Sequence, residues 1–135
     1  MASVVFTEER RRERLDALMF REIIGETERL ISMYRQQPES ELNGILLDAP
    51  LLFEAGLDDR CDEVLLLTAD MDVRIERVCR RDGVTADEVK SRISNQMSDE
   101  EKIKRADAVV DNSEGIEELF EKLQDFLTGF LAERS

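Results

Sequence analysis

Asn43-Gly-Ile-Leu-Leu-Asp-Ala-Pro-Leu-Leu-Phe-Glu54 decides how this chain is read. Ile45 to Ala49 is a short, nearly continuous apolar run that Pro50 stops. Such a run fits a strand buried on both faces, as in a parallel sheet. Val64-Leu-Leu-Leu-Thr68 is a second run of this kind and Ala108-Val-Val-Asp111 a third. Helical patterns separate the second run from the third. Short buried strands alternating with helices predict an α/β fold: a mostly parallel sheet of about three strands flanked by helices.

The helical segments carry their own punctuation. Thr7 is placed to cap a helix running on from Glu8, along which Leu15, Leu18, Met19, Ile23, Leu30 and Tyr34 recur at helical spacing. Gln36-Gln-Pro-Glu-Ser-Glu41 reads as a polar linker. Asp70 can cap a helix from Met71 to Arg81, with Gly83 at the position after its end. Thr85-Ala-Asp-Glu88 and Ser98-Asp-Glu-Glu101 are capping boxes. From Ile116 to Leu131 an apolar stripe marks a core-facing helix. The expected organisation is one α/β domain over 1–135: a helical region over 1–40, core strands over 43–70, lid-like helices over 71–106, and a last strand and helix over 107–135.

Composition limits the function classes. The 135 residues include 32 Asp and Glu against 19 Lys and Arg, a net charge of −13. That balance argues against nonspecific nucleic-acid binding, which draws its affinity from neutralising phosphates, and against docking on anionic membranes. No apolar run approaches the ~18 residues of a membrane span, and no secretory signal pattern opens the chain. The expected location is cytoplasmic. Histidine is absent, which removes Ser-His-Asp and Cys-His catalysis and His-ligated zinc. Cys61 and Cys79 fall outside any C-x-x-C pattern and read as reduced, half-buried thiols.

Four groups of residues could carry chemistry. Asp48 closes the first apolar run, and ligands of open α/β sheets bind at strand carboxyl ends. A carboxylate there can hold a magnesium-bound water beside nucleotide phosphates, or simply begin a turn. Pro50, Leu51, Leu52, Phe53 and Glu54 put apolar bulk on a loop, which calls for a ligand, a partner surface or a tuck under the next helix. Arg77 and Arg81 are four apart on one helix beside Arg74 and Arg80. Converging guanidinium groups suit phosphate oxygens, and surface ion pairs with Glu76, Asp82 and Asp87 explain the same residues. Asn112 ends the third run, where a side-chain amide could meet a base edge or serve a turn.

In their order and spacing these segments resemble the dephospho-CoA kinase family. Leu47-Asp-Ala-Pro-Leu-Leu-Phe-Glu54 with Gly56-Leu57 is the most specific match. Val5-Phe6-Thr7, Arg12 and Leu15-Asp-Ala17 resemble the opening of that family's CoA-binding region, and Cys61-Asp-Glu-Val64 the entry to a core strand. Arg77 to Gly83, Arg92, Gln96, Glu101-Lys102 and Ala106-Asp107 follow its mobile lid, and Val110-Asp-Asn112 its last strand. The resemblance implies transfer of the γ-phosphoryl of ATP, with Mg2+, to the ribose 3′-hydroxyl of dephospho-CoA, the last step of coenzyme A synthesis. It implies Asp48 near the metal, Pro50 to Glu54 at the acceptor, Arg77 and Arg81 on ATP phosphates and Asn112 near the adenine.

The departures are as specific as the matches. No G-x-x-x-x-G-K-[ST] occurs. The strand, phosphate loop and catalytic-base carboxylate that open the family's fold have no counterpart, as if the chain began roughly 60 residues late. The family's His-Pro is missing near Phe20-Arg21, and Arg74 stands where Gln is frequent. An incomplete kinase is therefore expected to be inactive alone. Unpaired strand edges are expected to lead either to a homo-oligomer, in which a second copy fills the gap, or to a rearranged core in which the remaining strands close up. The alternative is a noncatalytic module that binds a CoA-like ligand or serves assembly.

Overall fold

A computed structural model describes residues 2–38, 41 and 43–134, and the side chains of residues 8–38, 41 and 43–134. Glu39 and Ser40 of the expected linker lie outside it, as do the side chains of Val5, Phe6 and Thr7. Two compact units result, Met1–Pro50 and Leu51–Ser135.

The first unit is dominated by α1, Ala2–Arg35. Arg, Glu, Leu, Met and Ala are strong helix formers and fill most of it. The helix already spans Thr7, so that residue does not mark its start, and it continues through Gly25. Glu26 and Arg29, three apart, form an exposed ion pair of 2.6 Å. Along the first half of the helix Leu15, Leu18 and Met19 stay exposed.

The expected strand Ile45–Ala49 is not one. Its residues lie outside regular structure, and Leu46 is 94% exposed. Among the described residues the sheet has two strands rather than three: β1, Leu65–Thr68, and β2, Ala108–Asp111. Apolar content makes a segment compatible with a sheet, but a strand exists only where a neighbouring ladder takes its N–H and C=O groups.

The second unit is α/β. Strands β1 and β2 are parallel, with Leu65 opposite Ala108 and Thr68 opposite Asp111. Parallel pairing needs a crossover, supplied by α2 (Met71–Asp82), α3 (Ala86–Ser94) and α4 (Asp99–Arg105). The final helix, α5 (Ile116–Arg134), packs on β2, α4 packs on β1, and α2 packs on α3. Asp107 pins the start of the ladder: its Oδ2 accepts from Val64 N at 2.7 Å, while its own N–H donates to Val64 O at 2.9 Å.

Local signals hold where they are self-contained. Thr85 and Glu88 form the reciprocal capping box at the head of α3. At the head of α4 the expected box is half formed: the Ser98 hydroxyl accepts from Glu101 N, without a bond from Ser98 N back to the Glu101 carboxylate. Gly83 ends α2 in the left-handed region at φ 66°. Asp70 precedes α2, but its side chain makes no capping bond; instead its backbone N–H donates to Ser113 Oγ at 2.8 Å. The buried hydrophobics among the described residues are Phe53, Leu57, Val64 and Val89, of which Leu57 and Val89 are fully enclosed.

Candidate functional site

The two parallel strands end side by side at Thr68 and Asp111, so the loops beyond them, 69–70 and 112–115, form one edge of the second unit. In open α/β folds this edge is where ligands bind. Four side chains organise it. Asp111 Oδ1 accepts from Ser113 N at 2.7 Å and from Ser113 Oγ at 2.6 Å. This is an Asx turn, in which a carboxylate replaces a backbone acceptor two residues before the donor. Ser113 Oγ also accepts from Asp70 N, tying the loop after β2 to the loop after β1. Arg77 reaches across from α2 with two donors, Nη1 to Asn112 O at 2.5 Å and Nη2 to Glu114 O at 2.9 Å. Lys122 Nζ on α5 donates to Asp111 O at 3.2 Å.

Electrostatics follow the hydrogen bonds. Ser113 hydroxyl and amide donors hold the Asp111 carboxyl below its ordinary range, with smaller help from Lys122 and Arg77. The carboxylate that forms the turn is thus kept charged.

The arginines of α2 divide their work. Arg74 makes a part-buried ion pair of 2.6 Å with Asp99, tying α2 to α4. Arg80 pairs with Glu76 one turn back. Arg81 pairs with its neighbour Asp82 at 2.7 Å, and Arg92 of α3 joins the same carboxylate at 3.1 Å. The Arg81 hydrogen bond lowers the Asp82 carboxyl below its usual range and raises Arg81 in turn. Arg77 and Arg81 therefore do not converge on one point, although their spacing allows it.

The segment after Pro50 winds tightly rather than hanging free. Ala55 N donates to Leu51 O, Gly56 N to Phe53 O and Leu57 N to Leu52 O, each at 3.0 Å. Gly56 takes φ 68°, which a glycine adopts without strain. Phe53 and Leu57 are buried, so the tucked-loop alternative describes Phe53, while Leu51 and Leu52 are half-buried. Glu54 is unusual: both carboxylate oxygens are shut off from solvent and have no hydrogen-bond partner among the described residues. Asp48 and Pro50 belong to the first unit and are exposed.

Sequence reasoning passed over Ser113 and Lys122. Asp111-Asn-Ser113 is itself an Asx-turn pattern, so the signal for Ser113 was present. Lys122 had none, because its contact depends on how α5 lies on β2. No three His, Cys, Asp or Glu side chains among the described residues are grouped to hold a metal ion. Cys61 and Cys79 are free and half-buried. Burial, then Asp58, Asp62 and Asp107, push the Cys61 thiol up.

Comparison with known proteins places this arrangement. The dephospho-CoA kinase family model matches residues 1–118. The chain belongs to the dephospho-CoA kinase family. A dephospho-CoA kinase of Fusobacterium nucleatum is 31% identical over 127 residues, covering 93% of this chain and 62% of the relative. The one from Lactobacillus johnsonii is 35% identical over 127 residues, covering 94% and 63%. The crystal structure of TT1252 from Thermus thermophilus has a TM-score of 0.68 at 36% identity, over 87% of this chain and 60% of that one. The chain thus spans a little under two thirds of the length of these relatives.

Proposed function

We propose that this chain is the acceptor and lid portion of an ATP-dependent dephospho-CoA kinase, an enzyme that phosphorylates the ribose 3′-hydroxyl of dephospho-CoA. The observation that carries the reading is the bound-down loop Asp111–Glu114 at the carboxyl ends of both strands, in a chain of this family. In the proposal Asn112 lies at the adenine of ATP, Arg81 can exchange Asp82 for a nucleotide phosphate, and α2 to α4 form the lid. Leu51 and Leu52 flank the acceptor. The orphaned oxygens of Glu54 suit hydroxyl or amide donors of the bound substrate once the loop opens.

Magnesium enters this reading with the nucleotide. Mg2+ is ordinarily held by one or two carboxylates plus substrate phosphates, and Asp48 is an exposed carboxylate, so it suits an ion that arrives with the nucleotide. When bound, the ion would neutralise phosphate charge.

Phosphoryl transfer depends on positioning and charge stabilisation. A phosphate-cradling G-x-x-x-x-G-K-[ST] loop is not among these 135 residues. The 135-residue chain alone is therefore proposed to release no ADP from ATP and Mg2+, with or without dephospho-CoA. A coupled ADP-release assay tests this, and turnover that depends on dephospho-CoA would overturn it.

A second reading, assembly through a second copy, has its own observation. Leu67 and Val109 on the sheet and Ile116, Phe120 and Leu127 on α5 are exposed, and each strand has one unpaired edge among the described residues. Sedimentation equilibrium decides it: a concentration-dependent dimer supports this reading, and a monomer throughout rejects it.

A further inference from the structure

Arg77 is the residue for which the geometry and the phosphate-binding expectation part company. Its two terminal nitrogens each donate to a backbone carbonyl, those of Asn112 and Glu114, at 2.5 and 2.9 Å. Between those two carbonyls sits Ser113, held from the other side. Its N–H and hydroxyl go to Asp111 Oδ1, and its oxygen accepts from Asp70 N. The peptide units from Asp111 to Glu114 are therefore gripped from α2, from the loop after β1 and from the end of β2 at once.

The fork of a guanidinium matches two carbonyls of one short loop in a way a single ammonium cannot. Turning that same fork onto a phosphate would give up both charge-assisted bonds and release the loop, although three further N–H donors remain on the guanidinium. We infer that Arg77 is a positioning residue for the loop Asn112–Glu114, with Ser113 as its counterpart, and that this pair sets which purine the loop accepts.

The inference deepens the proposed ATP site and rests on the reading that Asn112 meets the base. The chemistry is that of amide recognition. Adenine offers an amino donor beside a ring-nitrogen acceptor, while guanine offers a carbonyl acceptor beside a ring N–H. A carboxamide or backbone group can tell them apart only if its carrier backbone is fixed, because a mobile one turns to suit either. Discrimination lost through mobility lowers the adenine-to-guanine ratio, whereas loss of a phosphate ligand weakens both nucleotides alike.

The test uses the 135-residue chain, 15N-labelled, titrated separately with adenosine, guanosine and inorganic tripolyphosphate. In the native chain adenosine is expected to shift the amides of 111–114 and to bind more tightly than guanosine. Arg77→Ala and Arg77→Lys are each expected to weaken adenosine by about tenfold, the scale of a lost charge-assisted bond, and to bring the two nucleosides close to parity. Ser113→Ala is expected to move the ratio in the same direction. Tripolyphosphate binding should be unchanged in all three variants.

Weaker tripolyphosphate binding by Arg77→Ala with an unmoved nucleoside ratio would make Arg77 a phosphate ligand and overturn the inference. If Arg77→Ala does not fold, an unmoved ratio in both Arg77→Lys and Ser113→Ala overturns it equally. Adenosine shifts at 111–114 with a ratio indifferent to every variant would sink the inference while leaving the ATP-site reading in place. Absence of any adenosine shift there in the native chain would remove that reading and the inference with it.

Discussion

Asp111 shows how one side chain sets the order of a whole loop. Its carboxyl is lowered first by the Ser113 hydroxyl, then by the Ser113 amide, so ionisation and the turn support each other. A carboxyl lowered in the folded state contributes stability that is present above its unfolded value and lost as pH falls through the folded one. The urea midpoint should therefore decline below about pH 4, and the Asp111→Asn variant should lose less over the same acid range. Equal slopes for the two proteins would remove this role from Asp111. Glu54 stands in the opposite situation, with oxygens buried and unpartnered among the described residues. Replacing an unpaired buried carboxylate with a neutral amide, Glu54→Gln, should stabilise the fold by about 1 kcal/mol, read from the same midpoint. A destabilised variant would mean that the carboxylate has a partner. Cys61, raised by burial and by three nearby carboxylates, should react slowly with iodoacetamide at pH 7 in the Cys79→Ser background. Labelling at the rate of a free thiol would contradict that.

At the scale of elements, what could be read from sequence separates by how local its physics is. The Thr85 box, the Gly83 stop and the presence of the last helix were legible because their signals lie within a few residues. The stripe of that helix is not core-facing: no residue of α5 is buried, and Ile116, Phe120 and Leu127 are exposed. Gly83→Ala should cost about 1 kcal/mol, since φ 66° is strained for any residue with a Cβ. A neutral result in chemical denaturation would show that α2 ends differently in solution. Ile45–Ala49 was misread because its composition is that of a strand while its pairing depends on a neighbour that composition does not reveal. The start of α1 was misread for a related reason: Thr7 is a good cap in isolation, yet the backbone before it is also helical. At the candidate site, the end of β2 was legible from the run of apolar residues. The task of Arg77 was not, because helical spacing shows which residues share a face and not which carbonyls a later loop brings within reach.

For the whole molecule, charge and burial pull together. Buried hydrophobics among the described residues number four in a chain that is 41% hydrophobic, and the net charge is −13. Little burial and strong self-repulsion imply marginal stability. Raising ionic strength from ~0.05 to ~0.5 M should increase the thermal midpoint, because screening relieves repulsion more than it weakens exposed pairs such as Arg80 with Glu76. A falling midpoint would make the surface ion pairs the larger effect. No helix among the described residues is long and apolar enough to cross a membrane. The chain belongs to the dephospho-CoA kinase family, and the function proposed for it puts the acceptor loop at Leu51 to Glu54. Calorimetric titration of the folded chain with dephospho-CoA, followed by amide shifts at Leu51 to Glu54, tests that most directly. The account predicts saturable binding with shifts confined to that loop and its neighbours, and a well-folded chain that takes up no dephospho-CoA would contradict it.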